Sequence, residues 1–401
     1  MVNTLWDKCF MPWKEYDVLK ERERFIEDYN SEEWNFAELC RFYGVTRKTG
    51  YKWVDRFEEQ RWKGLEELSR APHRHPNQVS GKVREAVLQI RGEHPYWGAA
   101  KIRVELSKRK WKEKVPAEST VGEILKRASL TVPRKVRRRN RNEGAAPRPA
   151  EGPNVVWCAD YKGWFRTGDG QRMDPFTLSD HYSRYLFRCQ AMEAADYLHT
   201  KAALDAALRE YGLPERLRTD NGAPFGSNGE SGLTKLAVWC IKLGIVPEYI
   251  QPGCPQQNGR HERMHRTLKQ ETASPPARNW REQQERFDHF RREYNEERPH
   301  QALGQKPPAR CYEASPRQYP ERIREVAYAS DWQTRRVSPA GQMRWDGEYV
   351  FVGHALAGER IGLEQVEEGE WRVWFSFYEL GTLEKGQQRI HRPVGAEPTE
   401  G

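Results

Sequence analysis

Three carboxylates stand where the chain predicts the ends of secondary-structure elements. Asp160 follows the apolar run 155–159, which predicts a buried strand, and Asp220 precedes the turn pair Asn221-Gly222 at the tip of a second strand. Glu262 lies near the start of a predicted helix, because turn residues precede it and helical periodicity follows. Acids at strand tips and at a helix start can meet at one site although the chain separates them widely.

The chemistry expected of such a site is metal-assisted phosphoryl transfer. Two strand-tip carboxylates and a helical glutamate can hold two divalent ions ~3.5–4 Å apart, which clamp the attacking and leaving oxygens. Mg²⁺ is the expected ion, with Mn²⁺ as an alternative, because Mg²⁺ is usually held by more than one carboxylate together with substrate phosphates. Glu262 lies among basic residues, and the candidates for phosphate contacts are Arg263, Arg266 and Lys269.

Three motifs around these acids carry a resemblance: Trp-Cys-Ala-Asp160-Tyr, Arg-Thr-Asp220-Asn-Gly and Pro-Gln-Gln-Asn-Gly-Arg-His-Glu262-Arg. In this order they resemble the Asp-Asp-Glu core of insertion-sequence transposases and retroviral-type integrases, over roughly residues 150–310. The resemblance implies a ribonuclease H-like core that cleaves a 3′ end of a mobile element and transfers the strand into target DNA. It also implies a dimer or larger synaptic assembly, and no covalent protein–DNA link.

One spacing departs from the family pattern. Asp160 and Asp220 are 60 residues apart, whereas the 42 residues from Asp220 to Glu262 are more than is common in this family. The polar, glycine-rich stretch 226–232 is expected to hold the extra residues as a loop. A strictly enforced shorter spacing would put the third position near Gln256, which cannot replace a carboxylate, so Glu262 is retained.

The helix of Glu262 also contains a zinc motif. The metallopeptidase pattern H-E-x-x-H, in which two histidines bind Zn²⁺ beside a general base, matches His261-Glu262-Arg263-Met264-His265. This alternative leaves Asp160 and Asp220 unexplained and offers no clear third ligand. On the phosphoryl-transfer interpretation, the two histidines are expected to be plain polar positions near DNA.

Composition restricts the partners and the compartment. The formal net charge of +9 over 401 residues favours an anionic partner, and nucleic acid is the simplest one. The seven scattered cysteines form no C-x-x-C pair, which favours structural thiols in a reducing cytosol. The chain has neither a long apolar run nor a secretion signal, so we expect no membrane partner and a bacterial cytoplasmic, nucleoid-associated protein.

The N-terminal part predicts two DNA-binding modules. Residues 36–57 read as a short helix, a glycine-containing turn and a second helix, whose first turns would present Arg47, Lys48, Thr49 and Lys52 to DNA. A helical hairpin with a solvated basic face is the alternative. A second helical set over residues 80–128 resembles the second helix-turn-helix of the same transposases, and its Trp97 is expected in the core. Eight lysines and arginines with no acid follow in residues 126–141, including the candidate DNA contacts Arg137, Arg138 and Arg139.

The predicted architecture is multidomain α+β. All-α helix-turn-helix modules precede a ribonuclease H-like α/β core with a five-stranded mixed sheet, and a small SH3-like β-barrel follows it. The predicted limits are 1–70 and 77–133 for the two modules, 134–153 for a basic linker, 154–312 for the core, 320–390 for the barrel and 391–401 for a disordered tail.

These features together predict a DNA transposase or integrase of the polynucleotidyl transferase type. Its partners would be double-stranded DNA, namely the terminal repeats and the target, and further copies of itself. The alternatives are a catalytically silent, transposase-derived DNA-binding regulator, a nuclease that acts by hydrolysis alone, and the zinc metallopeptidase.

Overall fold

The structure, a computed structural model, describes residues 17–69, 79–109, 113–131, 149–227, 232–251 and 254–391. It divides into two compact units, Met1–Gln78 and Val79–Gly401. Arg137, Arg138 and Arg139 lie outside the described residues, together with most of the predicted basic linker and nearly all of the predicted disordered tail. The domain limits drawn from the sequence stay predictions.

The first unit is the predicted helix-turn-helix. Its helices are α1 (Val18–Asn30), α2 (Phe36–Phe42) and α3 (Arg47–Gln60). The Thr46 hydroxyl caps α3 by accepting from the backbone N–H of Thr49. Gly50 lets α2 and α3 approach closely, because an added Cβ would lie 2.8 Å from the Cys40 Sγ. The apolar side chains of Leu39, Val54 and Phe57 pack in one small core between the three helices.

The second unit begins with three more helices, α4 (Gly81–Glu93), α5 (Ala99–Lys108) and α6 (Glu118–Arg127). Trp97 is 1% exposed, so its prediction as a core residue is confirmed. Its indole Nε1 donates to the Glu293 carboxylate at 3.1 Å, and the His94 ring stacks on the indole at 3.8 Å. This helical module is therefore packed directly against the central part of the unit.

The central part is a mixed sheet with helices on both faces. Its strands are β1 (Val156–Tyr161), β2 (Phe165–Arg166), β3 (Arg172–Asp180), β4 (Leu186–Met192), β5 (Arg216–Thr219) and β6 (Val246–Tyr249). The sheet order is β2-β3-β1-β5-β6, and β4 also pairs with β3. β1, β3 and β4 form the predicted antiparallel meander, whereas β5 lies parallel to β1 and β6 parallel to β5.

A turn follows the first predicted strand. The strand predicted from the apolar run before Asp160 is β1, which ends at Tyr161, and a separate two-residue strand follows it. Gly163 lies between the two with a φ of +84°, a backbone conformation that glycine adopts without steric cost. The chain turns at this point, and Lys162 continues the ladder only through its N–H to the Pro175 carbonyl.

The helices of the central part are α7 (Tyr197–Tyr211), α8 (Lys235–Lys242), α9 (Gly259–Thr272) and α10 (Trp280–Glu296). α7 and α8 pack with Trp157, Ala159 and Phe176 on one face of the sheet. α9 and α10 pack with Met173 and Leu186 on the opposite face. Alternate residues of β3 thus reach opposite cores, which follows from the two-residue period of a strand.

α10 also covers the open edge of β4. The Asn295 side-chain amide accepts from the Leu186 N–H at 2.8 Å and donates to the Leu186 carbonyl at 3.0 Å, as a neighbouring strand would. Gln284 makes the same kind of pair with the Ala191 N–H and the Cys189 carbonyl. Side chains thereby satisfy backbone groups that an exposed edge would offer to another chain.

The predicted C-terminal β region is confirmed, with more strands than the sequence analysis had. They are β7 (Gln333–Arg336), β8 (Gln342–Trp345), β9 (Glu348–Phe351), β10 (Arg360–Glu367), β11 (Glu370–Phe375) and β12 (Tyr378–Glu384). One sheet has the order β12-β11-β10-β7, and β8 and β9 form a hairpin. Val238 and Ile241 of α8 belong to the same apolar cluster as Val350 and Phe375, so this region packs on the central part.

Candidate active site

The first two acids lie side by side at one edge of the sheet. β1 and β5 are parallel, and Cys158 is paired with Arg218. Asp160 lies two residues beyond Cys158, and Asp220 lies two residues beyond Arg218, so the same register brings the acids level with each other. The two acids therefore follow neighbouring strands of the sheet. The Asp220 carboxylate also accepts from the Gly222 N–H at 3.2 Å, which stabilises the turn after β5.

Glu262 approaches this edge from the first turn of α9, and its side chain is exposed. The charges of both other acids act on Asp160, that of Asp220 more strongly than that of Glu262. Burial, then the charge of Asp220 and the charge of Glu262, raise the pKa of Asp160 to about 7, while Lys162 opposes them. The structure thus brings the three predicted acids into one electrostatic neighbourhood.

This neighbourhood fits a divalent cation. The Asp160 side chain is only 19% exposed, and its pKa is raised first by burial and then by repulsion from the charges of Asp220 and Glu262. A divalent cation would relieve this repulsion, and carboxylate oxygens are the ligands that Mg²⁺ prefers. Of the three acids, Glu262 lines a solvent-open cleft of about 530 Å³, together with His265 and Lys269.

The longer spacing before Glu262 has a local structural explanation. The Thr234 hydroxyl donates to the Phe225 carbonyl at 3.1 Å, so the chain leaves and returns at nearly the same place. The predicted loop over residues 226–232 lies in this excursion, and residues 228–231 are outside the described part of the chain. A loop whose two ends are held together can add residues between Asp220 and Glu262 without moving α9.

The two histidines of α9 are not surface positions near DNA, and that expectation was wrong. His261 and His265 are 3% and 5% exposed, because they lie on the inner face of α9 against β3. Their Nε2 atoms lie 2.7 and 2.6 Å from the Thr177 hydroxyl, which also donates to the Asp160 carbonyl at 3.1 Å. A hydroxyl has one proton, so this arrangement requires each imidazole to donate its Nε2–H to Thr177.

The same geometry argues against the zinc peptidase alternative. Ligand atoms of Asp160, His261 and His265 do lie within 4.8 Å of one another. The Nε2 atoms, however, are engaged with the Thr177 hydroxyl. Glu262 is exposed while both histidines are buried, and His261 does not line the cleft that contains Glu262. Burial lowers the pKa of His261 to about 3, which keeps that imidazole neutral and in its bonded position.

The residues of α9 predicted to contact phosphates are all exposed, but only two of the three line the cleft that contains Glu262. Arg266 and Lys269 line the cleft that contains Glu262, and so does Lys162 at the end of β1. Arg263 instead lies close enough to Arg184 to contribute to the lowered pKa of that guanidinium. Lys162 lies two residues after Asp160 in the sequence, and that position was a usable signal for a residue of the site.

In the first unit, the predicted DNA contacts lie at the start of α3. Arg47, Lys48 and Lys52 are exposed there. Thr49 is half-buried, and its hydroxyl lies 2.9 Å from that of Thr46, so it belongs partly to the helix cap. Arg137, Arg138 and Arg139 lie outside the described residues and have no place in this geometry.

A fourth acid near the site has a structural task. Asp180, which follows an apolar strand as Asp160 does, is 1% exposed. Its carboxylate accepts from the N–H and hydroxyl of Ser183 at 2.6 and 2.7 Å, and from the Asn154 N–H at 2.8 Å. Through these bonds Asp180 stabilises the turn before β4.

Comparisons with known proteins match family models along most of the chain. Integrase core domain models match residues 150–255 and 243–308. A helix-turn-helix domain model matches residues 21–73, and a homeodomain-like domain model matches residues 49–125. The C-terminal domain of IS481 family transposases matches residues 332–391.

Two curated relatives come from bacterial insertion elements. The chain is 28% identical over 177 residues to the uncharacterized 31.7 kDa protein of insertion element IS407 from Burkholderia multivorans. The aligned residues make up 42% of this chain and 60% of that protein. It is also 27% identical over 161 residues to the uncharacterized 39.2 kDa protein of insertion element IS476 from Xanthomonas euvesicatoria. Here the aligned residues make up 39% of this chain and 44% of that protein. The matches thus span about half the length of these relatives.

Solved structures of viral integrases are weakly similar. The magnesium complex of the HTLV-2 integrase catalytic core domain is 15% identical, with a TM-score of 0.31 over 41% of this chain and 100% of that chain. A simian T-cell lymphotropic virus intasome with a PP2A regulatory subunit is 15% identical, with a TM-score of 0.35 over 72% and 96% of the two chains. These scores are too low to bear on the fold.

Among the described residues, no helix has both the length and the apolar character needed to cross a membrane. The family matches agree with the architecture in order, from helix-turn-helix modules through the central mixed sheet to the C-terminal β region. With an integrase core domain at its centre and an IS481-type transposase domain after it, this chain belongs to the DDE transposase/integrase superfamily.

Proposed function

We propose that this chain is a transposase that binds the ends of a mobile element, cleaves at the 3′ ends and transfers the strands into target DNA. The observation that supports it most is the grouping of Asp160, Asp220 and Glu262 at the edge where β1 and β5 end beneath α9. Its DNA would be double-stranded, and cleavage and joining of two ends in concert favour a dimer or larger assembly. We expect it on the nucleoid of the bacterial cytoplasm.

The three acids are proposed to hold two Mg²⁺ ions, with Mn²⁺ as an alternative, and bound ions stabilise charge on the attacking and leaving oxygens. Water attacks the phosphorus first, and later the freed 3′-hydroxyl of the element end does so. In each step one P–O bond forms and one breaks, and no bond to the protein forms. Lys162, Arg266 and Lys269 line the cleft and would bind the strand through its phosphates.

Other residues of the chain keep the site in shape. Thr177 holds the Asp160 backbone through the hydrogen bond from its hydroxyl, and two buried imidazoles fix that hydroxyl from the other side. The exposed basic residues of α3, among them Arg47, Lys48 and Lys52, are proposed to contact the terminal repeats. Arg137, Arg138 and Arg139 remain candidates on charge alone.

The decisive experiment is a strand-transfer assay. It uses the full-length protein, Mg²⁺, labelled duplexes from the ends of the encoding element and a supercoiled target. Asp160→Asn, Asp220→Asn and Glu262→Gln are compared with the wild type, and Glu285→Gln, an exposed acid on α10, is the matched control. Joined product should form with the wild type and the control, and should be lost in the three variants while they still bind DNA.

Each departure from this result has a defined meaning. Joining that survives Glu262→Gln would mean that the third acid is misplaced. Cleavage without joining would favour a nuclease that acts by hydrolysis alone. Specific binding of element ends with neither cleavage nor joining, under Mg²⁺ or Mn²⁺, would favour a catalytically silent regulator.

A further inference from the structure

A cavity beside the candidate active site has the shape and charge of a nucleobase site. We propose that it takes one unpaired base of the DNA strand next to the reacting phosphate, and that Trp164 provides the stacking surface. The proposal rests on the proposed function in taking DNA as the substrate, and deepens it by naming how the strand end is held.

The cavity has a volume of about 150 Å³ and lies between the β1–β2 turn and the inner side of α9. Its floor is apolar and includes Phe165, Leu268 and Phe287. Lys162 and Lys269 line it as well, and both also line the cleft that contains Glu262. The cavity and the candidate metal site are therefore adjacent and share two cationic side chains.

Trp164 lies in the same lining and is 57% exposed. One exposed aromatic residue is unremarkable on a protein surface, so its exposure alone means little. Here the indole also has two guanidinium groups close to its ring, from Arg166 at 5.9 Å and Arg172 at 5.2 Å. An aromatic surface set among cations is the combination that single-stranded nucleic acid uses, with bases on the rings and phosphates on the charges.

The size and the charge of the site select the occupant. A cavity of this volume can take a single planar ring system, whereas a base pair would need far more space. Its apolar floor suits the face of a base, and its cationic rim suits the phosphates on either side. An unpaired base enters such a pocket at little cost, because no pairing and little stacking must be broken first.

The site would act by holding the strand end. Trp164 follows Asp160 by four residues and is carried on the turn that Gly163 forms directly after β1. A base stacked there would fix the backbone of the same strand against Lys162 and Lys269. Fixing the strand beside the acids orients the scissile phosphate, which is the main task of the protein in phosphoryl transfer.

Fluorescence of a base analogue tests this directly. The probe is a forked DNA duplex with 2-aminopurine in its unpaired 3′ arm, bound to the full-length protein in Ca²⁺ to favour binding over reaction. Stacking on an indole should lower the 2-aminopurine fluorescence. Trp164→Leu should abolish this change and weaken fork binding by about tenfold, as expected for one lost stacking contact, whereas Trp164→Phe should keep most of both.

Tyr349→Leu is the matched control, since Tyr349 is a similarly exposed aromatic residue, 62% exposed, on β9 of the C-terminal region. It should leave the fluorescence change and the affinity at their wild-type values. The proposal is overturned if the Trp164→Leu protein, shown to be folded by circular dichroism, lowers the 2-aminopurine fluorescence as much as the wild type does. It is equally overturned if both Trp164→Leu and Tyr349→Leu weaken binding alike.

The strand-transfer assay separates this failure from failure of the proposed function. Joining by wild type and Trp164→Leu at equal rates, with no change in fluorescence, would leave the transposase standing and remove the base site. A fluorescence change that depends on Trp164, without any joined product from the wild type, would support the base site and count against the transposase.

Discussion

Replacing Thr177 by Val should destabilise the second unit strongly, although the two side chains have nearly the same shape. Thr177 is fully buried in β3, and its hydroxyl contacts the Asp160 carbonyl and the Nε2 atoms of His261 and His265. Val removes the only acceptor that this arrangement offers to the two imidazole N–H groups. Both Nε2–H groups then lose their acceptor, while the rings keep only their Nδ1 contacts, from His261 to the Ser179 hydroxyl at 3.1 Å and from His265 to the Asp160 carboxylate at 3.7 Å.

The size of the effect follows from the number of groups stranded. A buried donor without a partner costs about 1–3 kcal/mol, so two such groups predict a loss of roughly 2–6 kcal/mol in the free energy of unfolding. A typical domain has only about 5–15 kcal/mol in total. The substitution should therefore remove a large part of the stability of this unit.

Urea unfolding of the full-length protein, followed by circular dichroism, measures the loss. Thr177→Ser keeps the hydroxyl and should remain close to the wild type. Thr272→Val is the matched control, because Thr272 is also buried but its hydroxyl donates to the Leu268 carbonyl within α9, which strands no donor when it is removed. If Thr177→Val unfolds at the same urea concentration as Thr272→Val, the bonding scheme drawn for the two histidines is wrong.

Three further results are expected. Burial lowers the pKa of His261 to about 3, so the unfolded state takes up a proton near pH 6.5 that the folded state does not, and stability should fall as the pH drops from 6.5 to 4. Asp160, whose pKa is raised to about 7, acts in the opposite sense between these pH values. Urea midpoints of wild type and His261→Asn, measured at both pH values, should therefore show that the variant loses less stability than the wild type. Mg²⁺ should raise the thermal midpoint of the wild type but not of Asp220→Asn, and equal shifts would mean that the ion binds elsewhere. Arg298→Met should cost about 3–5 kcal/mol in urea unfolding, because it leaves the Glu271 carboxylate, 13% exposed and now paired at 2.7 and 2.9 Å, without its partner. The double replacement of both residues by Met should recover much of the loss.

Some strands escaped the sequence analysis although a signal was present. Asp346-Gly347 joins β8 to β9 with positive φ at both residues, and Asp-Gly between alternating residues is a strong hairpin signal. Other strands offered less, since β7 consists of polar and charged residues, Gln333–Arg336, that satisfy no apolar alternation. A strand of this kind is defined by its partner β10 rather than by its own side chains.

The sequence by itself determined the type and order of most elements and the three acids of the candidate site. Apolar periodicity, turn residues and helix caps act over a few neighbouring residues, so a strand before Asp160 and a helix around Glu262 can be read directly. The helix-turn-helix core follows from the same local patterns, whereas neighbouring positions for Asp160 and Asp220 were expected only from the resemblance to a ribonuclease H-like core.

Only the tertiary structure decided what these elements meet. Thr177 and His261 are 84 residues apart in sequence, and nothing near either residue marks the other as its partner. The same holds for Trp97, whose indole donates to Glu293 across 196 residues, and for the cavity beside Trp164. Such contacts arise when burial forces distant polar groups to satisfy one another, and that requirement exists only after the elements have packed.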